Sequence, residues 1–133
     1  MRILVLCTGN TCRSQMAEGF LRQMHPDWEI FSAGTYPGKE VNPLAIAVMK
    51  EAGIDISAQY PKHVNNFVAM PFDYVITVCD DANEHCPVFT GKVKQRLHRG
   101  FPDPAAATGT IGQQLEIYRH VRDQIRQWLE EMF

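Results

Sequence analysis

No stretch of this 133-residue sequence approaches the roughly 18 consecutive apolar residues of a membrane span. The opening Met1-Arg2-Ile3-Leu4-Val5-Leu6 is too short for the apolar core of a secretion signal, and a polar loop follows at once. An excess of one charge is lacking too. The formal net charge of -2 offers no field for nucleic acid or for an anionic membrane surface. No linker, repeat or low-complexity run interrupts the chain, so residues 1–133 are expected to form one domain. These absences leave a cytoplasmic globular protein, expected as a monomer, with no nucleic-acid or membrane partner. At 45% apolar residues the chain can fill a single core of the usual density.

Cysteine is scarce as well, with four in the chain. In a reducing compartment stable structural disulfides are rare, so such cysteines are buried, metal-binding or redox-active. Four can pair in three ways, and the sequence alone does not choose. Their placement is more informative, because Cys7 and Cys12 share one loop and Cys79 and Cys86 another.

Arg2 to Leu6 reads as a strand running into the turn chemistry of Cys7-Thr8-Gly9-Asn10. Met16, Ala17, Phe20, Leu21 and Met24 then recur at helical spacing, with Ser14 as the expected N-cap and Pro26 beyond the end. A second strand is expected over Trp28 to Ser32, and a second helix from Asn42-Pro43 to the stop signal Gly53. Asp73 to Val78 predicts a third strand and Lys92 to His98 a fourth. Leu115, Tyr118, Val121, Ile125, Trp128, Leu129 and Met132 mark one face of a long C-terminal helix. Trp28 and Trp128 are expected in the core, and His25, His63 and His120 at the surface or satisfied. Alternating strands and helices predict a three-layer α/β/α domain with a parallel sheet. In such sheets ligands bind beyond the carboxyl ends of the strands, which puts Cys7 and Cys79 on the same edge.

The loop Cys7-Thr8-Gly9-Asn10-Thr11-Cys12-Arg13-Ser14 carries the chemistry. A cysteine with an arginine six positions later can wrap backbone N–H groups around a tetrahedral oxyanion, with Gly9 allowing close approach and the following helix adding its positive end. The candidate oxyanion-binding residues are therefore Thr8, Gly9, Asn10, Thr11, Cys12 and Arg13. Arg13 supplies a planar fork matched to two anion oxygens. The same positive surroundings are expected to lower the pKa of Cys7, and Ser14 can donate a hydrogen bond to its thiolate.

The segment from Cys7 to Gly19 resembles the signature loop of the low-molecular-weight protein tyrosine phosphatase fold. It is still more similar to the thioredoxin-coupled arsenate reductases built on that fold. Similarity continues through Phe31-Ser-Ala-Gly34, Val41-Asn-Pro-Leu-Ala45, Gly53-Ile-Asp-Ile-Ser57, Val78-Cys79, Cys86-Pro87, Asp103-Pro104-Ala105 and Val121-Arg122-Asp123. The resemblance implies a four-stranded parallel sheet flanked by helices. It implies arsenate as substrate, with phosphate or sulfate as analogues, and arsenic detoxification as the role. Asp103 matches the family's general acid, whereas Asp-Pro alone reads as a turn. The catalytic set so implied is Cys7, Arg13, Ser14, Cys79, Cys86 and Asp103. In the implied relay Cys7 attacks arsenate, Cys79 attacks the Cys7–arsenic adduct, and Cys86 moves the disulfide to Cys79–Cys86 for reduction by thioredoxin.

A phosphatase is the alternative, since it shares Cys7, Arg13 and Asp103 but needs no second thiol. Against it, Ala105-Ala106-Ala107 stands where phosphatases of this fold carry tyrosines, and Thr8 and Thr11 make a small polar pocket. A zinc site of Cys79, His85, Cys86 and His98 competes as well, although its six-residue cysteine gap exceeds the usual two to four. Inert core cysteines are the bland alternative. The segment Asp80 to His85 reads as a flexible polar loop, and its carboxylates offer no stabilisation to nearby thiolates. No cofactor is expected. Some relatives hold potassium near the loop, and Asn10, Glu18 and Ser32 match part of that site. Here, however, Tyr60 and Lys62 replace the remaining threonine and aspartate, so Lys62 is expected to supply the charge beside Glu18.

Overall fold

The computed structural model describes residues 1–133. Four strands form one sheet: β1 (Arg2–Cys7), β2 (Glu29–Gly34), β3 (Phe72–Thr77) and β4 (Val93–His98). Their order is β2-β1-β3-β4 and all pairs are parallel, as expected of the alternating pattern. β1 lies inside the sheet and is covered on both faces, so Ile3, Leu4, Val5 and Leu6 are all fully buried. Burial of such side chains is worth roughly 1.5–3 kcal/mol each, which makes the apolar run of this strand the foundation of the domain.

Four helices accompany the sheet: α1 (Arg13–Met24), α2 (Pro43–Glu51), α3 (Asp80–Glu84) and α4 (Ile111–Met132). Asn42 caps α2 through Leu44 N–H, Pro43 occupies its first turn, and Gly53 follows its end at φ 82°, where glycine carries no steric penalty. α4 starts on a capping box of Thr110 and Gln113. It buries Tyr118, Val121, Ile125 and Leu129 at three- and four-residue spacing, packing against α1 and α2. Leu115 and Trp128 are partly buried against the core, but Met132 of the expected stripe is 45% exposed. Trp28 also packs on the core while stacking on His25, ring centroids 3.5 Å apart. No helix is long and apolar enough to cross a membrane.

Two expectations need correction. Ser14 is not the N-cap of α1. Cys12 holds that position without a side-chain cap, and Ser14 lies inside the first turn, fully buried. The segment between Cys79 and Cys86 is not a loop but the five-residue helix α3. Cys79 caps it, its sulfur accepting Ala82 N–H at 3.4 Å.

Candidate active site

β1 ends at Cys7 and α1 begins at Arg13, so the loop stands at the carboxyl edge of the sheet. Its backbone is turned by outside partners. The N–H groups of Thr35, Tyr36, Gly38 and Asn42 bond the carbonyls of Cys7, Thr8, Gly9 and Thr11 at 2.9–3.2 Å. Gln15 Nε2 takes the carbonyl of Asn10 at 2.9 Å. With these carbonyls tied away, the loop's amides are free to turn toward an anion. Gly34 permits this clamp, because a Cβ there would sit 2.4 Å from the Thr8 carbonyl oxygen.

Asn10 is the hub. It adopts φ 54°, a region open to asparagine at low cost, and is fully buried. Its Nδ2 donates to Ser14 Oγ at 2.7 Å and Ser32 Oγ at 2.9 Å, while its Oδ1 accepts from Lys62 N. Ser14 already accepts from Asn10, so its own hydrogen is free to point at Cys7 Sγ, 2.8 Å away. Asn10 N–H donates to the same sulfur at 3.2 Å.

Three influences favour charge on Cys7, yet burial outweighs the Ser14 hydrogen bonds, Arg13 and the Asn10 amide, and pushes the thiol up. The expected lowering is therefore absent in this arrangement. Arg13 is turned toward the Phe101 carbonyl at 3.0 Å and stands 4.0 Å from Asp103 Oδ2. Cys12 points away from the concavity, its sulfur donating to Tyr118 Oη at 3.9 Å, and desolvation holds its pKa up at about 11.

Thr8, Arg13, Cys79, Phe101 and Asp103 line one cleft of about 870 Å³, together with Asp80 and Asp81. Thr8 Oγ1 lies 3.4 Å from Cys79 Sγ, so loop and second thiol are in contact. Asp103 caps the short turn Pro104–Ala106 through Ala105 N–H, so Asp-Pro does start a turn, and the same residue lines the cleft. Cys86 is not in the cleft. It follows the C-terminal end of α3, in a separate hollow with Val75, Leu97 and Arg96, whose guanidinium approaches its sulfur to 3.9 Å. No group of three or more His, Cys, Asp or Glu side chains is placed to hold a metal ion. His85 and His98 are paired with Asp81 and Asp80 instead.

Glu18 is almost fully buried, accepts from Ser32 at 2.6 Å, and meets Arg22 at 2.9 Å and Lys62 Nζ at 3.9 Å. Burial pushes the Lys62 ammonium down and Glu18 pulls it back up. Sequence reasoning missed Gln15, Phe101 and Asp81. A buried glutamine and a backbone carbonyl leave no pattern in a sequence, and Asp81 was hidden by taking α3 for a loop.

The family described as low molecular weight phosphotyrosine protein phosphatase matches residues 2–133. The chain belongs to that family. Among its relatives is the arsenate reductase of Bacillus subtilis, 44% identical over 130 residues, which span 97% of this chain and 92% of that protein. A solved arsenate reductase in the phosphate-binding state superposes with a TM-score of 0.83 at 34% identity, covering 99% of this chain and 96% of the other. The thioredoxin-dependent arsenate reductase of Corynebacterium glutamicum gives 0.65 at 29%, covering 98% of this chain and 60% of that one.

Proposed function

We propose that this protein reduces arsenate to arsenite through Cys7, Cys79 and Cys86, and that thioredoxin reduces the resulting disulfide in the cytoplasm. The observation that carries the relay is the Thr8–Cys79 contact, which brings a second thiol to the wall of the oxyanion loop. A phosphatase has no use for it.

Arsenate seats on the loop amides and the Arg13 fork. Cys7 attacks arsenic, and Asp103 supplies the proton with which one oxygen leaves as water. Cys79 then attacks the Cys7 sulfur. The S–S bond forms, the S–As bond breaks, and its electron pair stays on arsenic, which falls from As(V) to As(III). Protons complete arsenous acid. Cys86 next attacks Cys79, regenerating the Cys7 thiolate and leaving the Cys79–Cys86 disulfide. Because Cys86 lies outside the cleft, α3 must rearrange for this step.

The test supplies arsenate, thioredoxin, thioredoxin reductase and NADPH. Wild type is expected to turn over repeatedly and Cys86→Ser at most once; equal steady-state rates would end the relay. Replacing thioredoxin by glutaredoxin identifies the reductant. The loop, Arg13 and Asp103 also suffice for phosphomonoester hydrolysis, which is expected as a slow side activity on an aryl phosphate.

No potassium ion is needed in this scheme. Lys62 Nζ stands beside Glu18 and over the Tyr60 ring, 4.5 Å from its centroid, where it supplies a positive charge to the network that orients Asn10. Activity is expected to be flat across a potassium titration at constant ionic strength. A strong potassium requirement would contradict it.

A further inference from the structure

Thr8 has one hydroxyl hydrogen and two neighbours that compete for it. Asp81 Oδ2 lies 2.8 Å from Thr8 Oγ1, and Cys79 Sγ lies 3.4 Å away. A carboxylate at the shorter distance is the stronger acceptor, so the hydrogen goes to Asp81. Toward Cys79 the hydroxyl then offers only lone pairs. A thiolate there would lack one of the hydrogen bonds it could receive, and the thiolate is the form that attacks another sulfur.

We propose that Asp81 is a positioning residue that restrains the second thiol by keeping the Thr8 hydroxyl pointed away from it. While α3 holds the Asp81 carboxylate on Thr8, the hydroxyl has no hydrogen to give the Cys79 sulfur. When that contact opens, Thr8 rotates its hydrogen to the Cys79 sulfur and supports it as a thiolate. Ala82 N–H, already on the sulfur at 3.4 Å, supports the same charge. The step thereby released is the attack of Cys79 on the Cys7–arsenic adduct, with arsenate itself as the oxidant.

The groups facing Asp81 fit a contact made to open. Asp81 is more than half exposed, and His85 Nδ1 lies 3.2 Å from its Oδ1, the oxygen Thr8 does not use, and 2.9 Å from its backbone carbonyl. Asp80, by contrast, is tied to His98 Nε2 at 2.9 Å, and His98 Nδ1 to Thr77 Oγ1 at 2.8 Å. The start of α3 is thus anchored to the sheet by one acid while the next acid grips the catalytic loop.

The inference rests on the relay, and its test separates the two. Arsenite release is followed in a single turnover at saturating arsenate without thioredoxin, so that tighter anion binding after loss of a nearby acid does not register. Asp81→Asn and Asp81→Ala are expected to release arsenite roughly 3- to 10-fold faster than wild type, the scale of one charge-assisted hydrogen bond at a partly exposed site. In a Thr8→Val background the same substitutions are expected to gain nothing. No acceleration in either variant, or an equal acceleration in the Thr8→Val background, overturns the role of Asp81. Arsenite release by Cys79→Ser at the wild-type rate instead overturns the relay.

Discussion

At the scale of single residues, a buried cysteine is pulled two ways. Cys7 lies under the loop where desolvation raises its pKa, and Ser14, Arg13 and the Asn10 amide oppose that rise. Ser14 opposes it most strongly, so its removal is informative. Ser14→Ala is expected to slow alkylation of Cys7 by iodoacetamide at neutral pH by roughly 10- to 100-fold, the cost of one hydrogen bond to a charged sulfur. The fold should persist, since Asn10 Nδ2 keeps Ser32 as a partner. Cys7 and Arg13 were legible as a pair because each is a chemically distinctive side chain at a fixed spacing, whereas Asp103 was singled out only by the family resemblance. The buried partners were not: Gln15, fully hidden and holding the Asn10 carbonyl, looks in the sequence like any solvated helix residue.

At the scale of elements, strands were read from apolar composition and helices from periodicity, and both signals need length. β1 and α4 had it. α3, with the sequence Asp-Asp-Ala-Asn-Glu, has a single buried residue, Ala82, and no period to detect, so its order comes from tertiary pairing rather than propensity. The capping box of α4 is present in the sequence as Thr110 and Gln113, a motif short enough to recur by chance. Ser14 was misplaced as a cap because its hydroxyl serves Cys7, not the helix. The close packing of β2 on the loop carries a prediction of its own. Gly34→Ala places a methyl group 2.4 Å from the Thr8 carbonyl oxygen, the same oxygen that Tyr36 N–H holds at 2.9 Å. The loop must shift, so phosphate or arsenate binding is expected to weaken at least about tenfold, with a stability loss of about 1–3 kcal/mol. Unchanged phosphate affinity by calorimetry would show that the clamp is not what shapes the site.

At the scale of the molecule, buried thiols make stability depend on alkaline pH. Cys12 titrates at about 11 in the folded chain, against an ordinary value of about 8.5 in an unfolded one. A raised thiol pKa means the folded state keeps its proton longer. The stabilisation is therefore complete below the unfolded value and lost as pH climbs through the folded one. Unfolding free energy under reducing conditions is expected to fall by a few kcal/mol between about pH 8.5 and 11, and Cys12→Ala to flatten part of that decline. A wild-type curve as flat as the variant's would refute the burial effect. The position of Cys86, outside the cleft and at the opposite end of α3 from Cys79, has a consequence of another kind. Two thiols seven residues apart on a mobile loop would meet by chance and be oxidised by any passing peroxide. Separated by an intact turn of helix, they form an unlit fuse: in the relay proposed above, the reducing electrons stay unspent until the first sulfur has been engaged.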